Sequence, residues 1–309
     1  MKKIITILFT GLISTMAVAQ QDAMYTHYMY NTLAVNPAYA GSRDALSITG
    51  LHRSQWIGFK GSPITQTLTV HTPVVSKNIG MGLSFINDKI GPTNTTSLYL
   101  DFSYRILFNK KSYLSFGLKG GMNMRYQGFA DLDRVDQTDP LLLNDVRSQF
   151  LPNFGFGLYY YTANYYAGVS IPKLLENNFE TNTTLGTTNL ASEERHYYFI
   201  AGTIFDLNES IKLKPTTFVK VTTGAPIEAD ITASFIFQDR FWIGAMYRTG
   251  DALGVLAGIN ITDQFGLGYS FDWSFKNTTV QYNVGSHELM LRYDLIYKVK
   301  EEIRSPRYF

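Results

Sequence analysis

From Ser97 to Phe108 the chain alternates strictly, with Leu98, Leu100, Phe102, Tyr104, Ile106 and Phe108 on one face and Ser97, Tyr99, Asp101, Ser103 and Arg105 on the other. A period of two with no competing helical period predicts a half-exposed strand. The same pattern recurs to the C-terminus. Read together with the turn residues, it predicts strands at about 43–55, 63–72, 79–88, 95–108, 112–127, 150–161, 165–171, 196–206, 211–222, 227–237, 241–248, 252–261, 265–273 and 286–297. Fourteen is an even number, as a single-chain bacterial barrel requires.

Connection length gives an independent check. The connections after the second, fourth, sixth, eighth, tenth and twelfth strands are short, among them Asn109-Lys110-Lys111, Thr162-Ala163-Asn164, Gln238-Asp239-Arg240 and Thr262-Asp263-Gln264. The long ones, about 128–149, 172–195 and 274–285, with a medium loop near 88–94, all follow odd strands. Short periplasmic turns and long external loops produce this sorting, whereas a soluble sandwich has no reason for it. The expectation is therefore an all-β, integral outer-membrane antiparallel β-barrel of about 14 strands over residues 43–297, with both termini periplasmic.

The first residues fit a secretory leader: Lys2 and Lys3, an apolar run from Ile4 to Val18, and a small-x-small site at Ala17-Val18-Ala19. Residues 1–19 are read as a cleaved signal peptide and excluded from the fold. There is no cysteine, so neither a lipoprotein anchor nor a disulfide framework is expected. Without Lys2 and Lys3 the 27 basic residues fall to 25, equal to the 25 acidic ones, and nothing suggests nucleic acid. No apolar run of about 18 residues follows the leader, which excludes a helical membrane protein but not a barrel. The 21 Tyr and 21 Phe suit interfacial girdles facing lipid and lipopolysaccharide.

On the last strand Leu289, Leu291, Tyr293, Leu295 and Tyr297 face one way while Glu288, Arg292 and Asp294 face the other. A charge on the lipid face near mid-membrane costs roughly 2–4 kcal/mol, so the charged row must face inward. The same logic places Asp101, Arg105, Lys119, Asn123, Arg125, Lys212, Lys214, Lys220, Glu228, Asp230, Arg248 and Asp272 in the lumen. Such an interior hydrates a channel, grips a polypeptide, or pairs across neighbouring strands into a rigid wall. Glycines share that face at Gly80 and Gly82, Gly155 and Gly157, Gly254 and Gly258, and Gly266 and Gly268. They indicate either a second backbone close by or the bends of barrel closure.

Catalytic chemistry is hard to assemble. His27, His52, His71, His196 and His287 show no metal-ligand spacing, and neither a phosphate-cradling loop nor a nucleophile elbow is present. No enzyme, no metal and no cofactor is expected. The acidic third loop, with Asp131, Asp133, Asp136, Asp139 and Asp145, supplies oxygen atoms for Ca²⁺ but matches no EF-hand spacing. In the same loop Leu141-Leu142-Leu143 follow Pro140 and form a candidate docking patch.

Residues 20–42 precede the first strand and contain Asn36-Pro37 and Gly41, which do not extend a barrel wall. This segment either plugs the lumen or docks a periplasmic partner, unless it simply packs on its own barrel floor. Its Tyr25, Tyr28, Tyr30 and Tyr39 are compact anchors. Residues 298–309, with Lys298, Lys300, Glu301, Glu302 and Arg304, form a periplasmic tail by parity.

Tyr25-Thr26-His27-Tyr28-Met29-Tyr30-Asn31 and Val35-Asn36-Pro37-Ala38-Tyr39-Ala40-Gly41-Ser42-Arg43-Asp44, then Arg53-Ser54-Gln55-Trp56-Ile57-Gly58, Pro63-Ile64-Thr65-Gln66-Thr67, His71-Thr72-Pro73 and Asn87-Asp88-Lys89-Ile90-Gly91-Pro92 resemble the signature of the PorP/SprF family of Bacteroidota outer-membrane proteins. The ending Arg304-Ser305-Pro306-Arg307-Tyr308-Phe309 is similar to the family's as well. The resemblance implies a part in type IX secretion and gliding motility. One branch of the family holds a secreted adhesin through its C-terminal sorting domain, and the other anchors periplasmic motor and ring subunits. The adhesin-binding reading is preferred, with a diffusion channel as the rival from another class. Tyr25, Tyr28, Tyr30, Asn36, Pro37, Tyr39, Arg105, Arg125, Leu141, Leu142 and Leu143 are the candidate partner-binding residues.

Overall fold

The computed structural model describes residues 22–74, 78–109, 112–129, 145–183, 186–275 and 284–296. Residues 1–21, Leu141 to Leu143 with most of the third loop, and residues 297–309 lie outside the described residues.

Seventeen strands are formed. In chain order they are β1 (Leu46–Ser54), β2 (Ile64–Pro73), β3 (Ile79–Ile90), β4 (Thr93–Asn109), β5 (Ser112–Gln127), β6 (Val146–Tyr161), β7 (Tyr165–Ile171), β8 (Asn178–Thr183), β9 (Gly186–Ser192), β10 (His196–Thr203), β11 (Phe205–Asp206), β12 (Ile211–Thr222), β13 (Glu228–Phe237), β14 (Phe241–Arg248), β15 (Ala252–Asn260), β16 (Phe265–Ser274) and β17 (Ser286–Leu295). Neighbours pair antiparallel from β1 to β7, β7 pairs with β10, β10 with β12, and β17 closes on β1. The pairs Gly202 with Thr216 and Phe205 with Leu213 keep one register on both sides of Ile204, so β10 and β11 are one barrel strand. The break falls opposite Pro215, which has no N–H to give to the ladder. The barrel thus has fourteen strands, and among the described residues β8 and β9 form a separate hairpin.

The alternation sorts the faces as expected. Leu98, Leu100, Phe102, Tyr104, Ile106 and Phe108 are exposed on the outer wall, while Ser97, Tyr99, Asp101, Ser103 and Arg105 are buried inside. The last strand behaves likewise, with Leu289, Leu291, Tyr293 and Leu295 outside and Glu288, Arg292 and Asp294 buried. Because the outward faces meet hydrocarbon and the inward ones are shielded, the charged row is buried in the lumen rather than in a soluble core.

Two expectations are corrected. The medium loop near 88–94 is absent: β3 runs to Ile90 and β4 starts at Thr93, joined by Gly91 and Pro92 with Gly91 at φ +55°. Its ladder continues to the pair Ile90 and Thr93, so the residues read as loop are spent on strand pairing. The 172–195 connection is likewise not plain loop, since it contains the β8–β9 hairpin. With 17 residues in β4 against about 9–11 for a membrane-crossing strand, the β3–β6 wall reaches beyond the bilayer.

The ends of the described chain form a further difference. Leu295 pairs with Leu46 at the short-turn mouth, but Asp22 lies beside Lys173 and His196 at the long-loop mouth. The described chain therefore begins at one mouth and ends at the other, instead of having both ends on the side of the short turns. Residues 22–45 cross the lumen in between.

Candidate functional site

Asp22 starts the crossing segment. Its carboxylate bonds Lys173 Nζ at 2.7 Å and accepts from the Tyr198 hydroxyl at 3.2 Å. Burial pushes the Asp22 pKa up, but Lys173 and His196 outweigh it and hold the group below the usual carboxylate range.

A turn later the backbone meets a charged clamp. The N–H groups of Thr26 and His27 donate to the two oxygens of Glu288 at 2.9 and 2.7 Å, and His27 Nδ1 lies 2.8 Å from the same carboxylate. Arg53 donates to Thr26 Oγ1 at 2.8 Å and pairs with Asp272 at 2.7 Å and Glu288 at 3.2 Å. Arg248 continues the array by a two-pronged contact with Asp230, both bonds 2.8 Å. A fork on a carboxylate is the geometry that arginine favours and lysine cannot match.

Below the clamp Tyr28 hydrogen-bonds Thr216 at 3.0 Å and stacks on Phe218, while Tyr30 packs on Trp242. Lys214 Nζ sits 4.4 Å over the Tyr30 ring and the Arg292 guanidinium 5.5 Å from its centroid, so both basic groups lie against one aromatic ring.

Thr32–Val35 form one helical turn, then Asn36 and Pro37 bend the chain into a 3-10 turn over Pro37–Tyr39. Lone helical turns leave their carbonyls unpaired, and here the barrel wall supplies the donors. Lys119 Nζ reaches the carbonyls of Leu33 and Ala34 at 3.3 and 3.4 Å, and Ser170 Oγ that of Val35 at 2.7 Å. Ser103 Oγ donates to Ala40 at 2.7 Å and Arg105 to Gly41 at 3.0 Å. The Asn36 amide in turn donates to Leu158 and its oxygen caps the Ala38 N–H at 2.9 Å. Arg43 on Asp294 and Arg105 on Asp44, each 2.8 Å, fix the exit where β1 begins.

The segment is therefore a plug, and several inward glycines are its seats. A side chain at Gly80 would strike the Ala40 carbonyl, at Gly117 the Ala38 backbone, and at Gly157 the Asn36 amide. Gly258 differs, since its space is taken by the Trp242 ring, and Gly155 faces the Pro172 carbonyl. Gly117→Leu is expected to push the 3-10 turn off the wall at a cost of about 1–3 kcal/mol. It would show as new protease cleavage within 22–45 while the barrel keeps its heat-modifiable gel mobility; an uncut segment would contradict the seating.

Of the sequence-derived candidates, Tyr25, Tyr28, Tyr30, Asn36, Pro37 and Tyr39 all lie buried in the lumen, and Arg105 is one of the plug's ties. Arg125 lines a cavity at the long-loop mouth, which Tyr25 also lines. The clamp residues Arg53, Asp272 and Glu288 were not among the candidates, although the inward charged row and the Arg53-Ser54-Gln55-Trp56 motif both contain signals for them. The wall charges pair with each other, as Lys119 does with Asp101 at 3.2 Å, and also hold a polypeptide. His27, His71 and His196 serve as plug contacts, and among the described residues no three His, Asp or Glu side chains gather as a metal site.

Comparison with known proteins fits this picture. A family model described as type IX secretion system membrane protein PorP/SprF matches residues 17–293. Solved structures with a similar fold include the CymD monoaromatic hydrocarbon channel, at 10% identity and a TM-score of 0.53, covering 88% of this chain and 94% of that one. The Ralstonia pickettii toluene transporter TbuX shows 9% identity and a TM-score of 0.49, over 85% and 92% of the two chains. The Acinetobacter baumannii outer membrane protein Omp33 shows 9% and 0.45, over 83% and 100%. No functionally curated protein matches the sequence. The family and the fold together place the chain in the outer membrane of a Gram-negative cell.

Proposed function

Because the chain belongs to the PorP/SprF family of type IX secretion system membrane proteins, we propose that it is a non-catalytic barrel of the secretion and gliding machinery that binds a secreted surface adhesin through the adhesin's C-terminal domain and anchors it. The observation that carries this reading is the plug. Its contacts reach Arg53 and Glu288 on the paired strands β1 and β17, Lys119 on β5, Ser170 on β7 and Thr216 on β12, so the segment lies across the lumen that a diffusion channel would need. A barrel whose lumen is taken by its own chain offers a partner a rigid rim instead of a pore. The β3–β6 wall, extended past the bilayer, and the β8–β9 hairpin provide that rim on the long-loop side, which parity makes external.

Affinity purification of the tagged protein from native outer membranes in mild detergent, followed by mass spectrometry, tests the proposal. A large secreted protein with a C-terminal sorting domain is the expected companion. Recovery of periplasmic ring or motor subunits alone would replace the adhesin reading with the anchor reading. A bare barrel with reproducible bilayer conductance would overturn both in favour of a channel.

A further inference from the structure

At the long-loop mouth a cavity of about 250 Å³ lies between the start of the plug and the inner faces of β3, β4, β5 and β10. This is below the roughly 300–1,000 Å³ typical of small-molecule sites, a size suited to a single inserted side chain. Its charges are unevenly matched. Lys173 is taken by Asp22 at 2.7 Å and Lys119 by Asp101 at 3.2 Å. Asp88 bonds the Thr65 hydroxyl at 2.6 Å and has no cation within ion-pair distance among the described residues. Glu193 accepts from the amides of Asn123, Asn177 and Asn153 at 2.7, 2.8 and 3.3 Å, with Arg125 and Lys173 in electrostatic reach. Arg125 and His196 also line the space, so carboxylates outnumber the lysines and arginine there.

A second observation is independent of the charges. Tyr25 lines the cavity, is only 5% exposed, and its hydroxyl has no hydrogen-bond partner among the described residues. A buried hydroxyl left unpaired costs about 1–3 kcal/mol unless something arrives to bond it. Burial and the nearby Asp88 push its pKa up, so it remains a neutral phenol at any physiological pH. Tyr99 and Tyr198 complete an aromatic lining. A carboxylate outside any ion pair at Asp88, an orphaned hydroxyl and tyrosine rings together make a receptor for an organic cation.

We propose that this cavity receives a lysine or arginine side chain presented at the long-loop mouth by a polypeptide partner, with Asp88 as the charge partner and the Tyr25 hydroxyl accepting an N–H. The inference depends on the geometry of the lumen and not on the adhesin reading, so failure to recover an adhesin leaves it untouched.

The test uses the full-length barrel purified from outer membranes in detergent, titrated calorimetrically with acetyl-Gly-Lys-Gly-amide and with its norleucine counterpart. Saturable binding of the lysine peptide alone is expected, weaker at high salt. Asp88→Asn is expected to lower the affinity about tenfold or more, since it removes a charge-assisted contact. Tyr25→Phe is expected to lower it about threefold, and carries the test if Asp88→Asn does not yield a heat-modifiable barrel. Equal binding of the norleucine peptide, no saturable binding, or unchanged affinity in the folded variants would overturn the proposal.

Discussion

Deleting residues 22–42 behind an intact leader is expected to turn a near-silent barrel into one with discrete conductance steps in planar bilayers. The reason lies in the chemistry of the wall. Lys119, Lys214, Asp272, Glu288 and Arg292 face the lumen, and with the plug gone the groups that held it turn to water and counter-ions, while wall pairs such as Lys119 with Asp101 remain. A polar, charged lining of fourteen-strand width wets readily, whereas an apolar one of the same size would stay dry. The deletion also removes groups that satisfy the wall, including the Thr26 and His27 amides on Glu288 and the Leu33 carbonyl on Lys119. Stability should therefore fall, but the ladder from β1 to β17 is formed by the barrel strands alone and can still close. Folded, heat-modifiable protein that conducts no more than the full-length chain would show that the segment is not what closes the lumen.

How much of this was readable in the sequence differs between wall and plug. Barrel strands announce themselves because hydrocarbon outside and a shielded lumen inside force a period of two, and β5, β7, β12 and β14 came out with the bounds expected. The errors fall where that pressure is missing. Beyond the bilayer Asn87, Asp88 and Thr93 no longer alternate with apolar residues, so the strand tips looked like a loop, although their backbones pair to the end of the ladder. The plug shows no period at all. Tyr28 and Tyr30 take their neighbours from β12 and β14, nearly two hundred residues away, and no local pattern encodes such contacts. What the sequence did contain was the clustering of glycine on the inward face, an indirect record of a second backbone, correct for Gly80 and Gly157 but not for Gly258. The direction of the crossing was not legible, because it depends on which clamp Thr26 meets first.

The family-like motifs acquire a physical meaning from the plug. Tyr25 to Asn31 and Val35 to Asp44 are the plug itself, while Arg53, Thr65, Thr67 and His71 belong to its surroundings: Arg53 bonds Thr26, Thr67 the Asn31 amide, His71 the Gly41 N–H, and Thr65 ties Asp88. Residues that look scattered along the chain are thus largely two sides of one interface.

Arg53→Ala should be the most damaging single substitution in that interface. Arg53 is 1% exposed and stands between Asp272 and Glu288, which are 1% exposed themselves. Removing it leaves two carboxylates facing each other in a shielded space, with Arg248 still 3.7 Å from Asp272 and His27 beside Glu288 as the remaining compensation. Loss of one partner from a buried ionic cluster typically costs about 3–5 kcal/mol, because the charges left behind stay desolvated. Arg53→Lys should recover only part of this, since a single ammonium nitrogen does not reproduce the spread of the guanidinium, one nitrogen of which meets Asp272 and the other Glu288 and Thr26. Pairing Arg53→Ala with Glu288→Gln should recover more than the sum of the single changes allows, as the like-charge contact disappears. Urea unfolding in detergent micelles, with the double-mutant cycle evaluated at the midpoints, measures all three. A loss below about 1 kcal/mol for Arg53→Ala would mean that water reaches the clamp and screens it as at a surface, and the plug would then be held by its seats in the wall and not by charge.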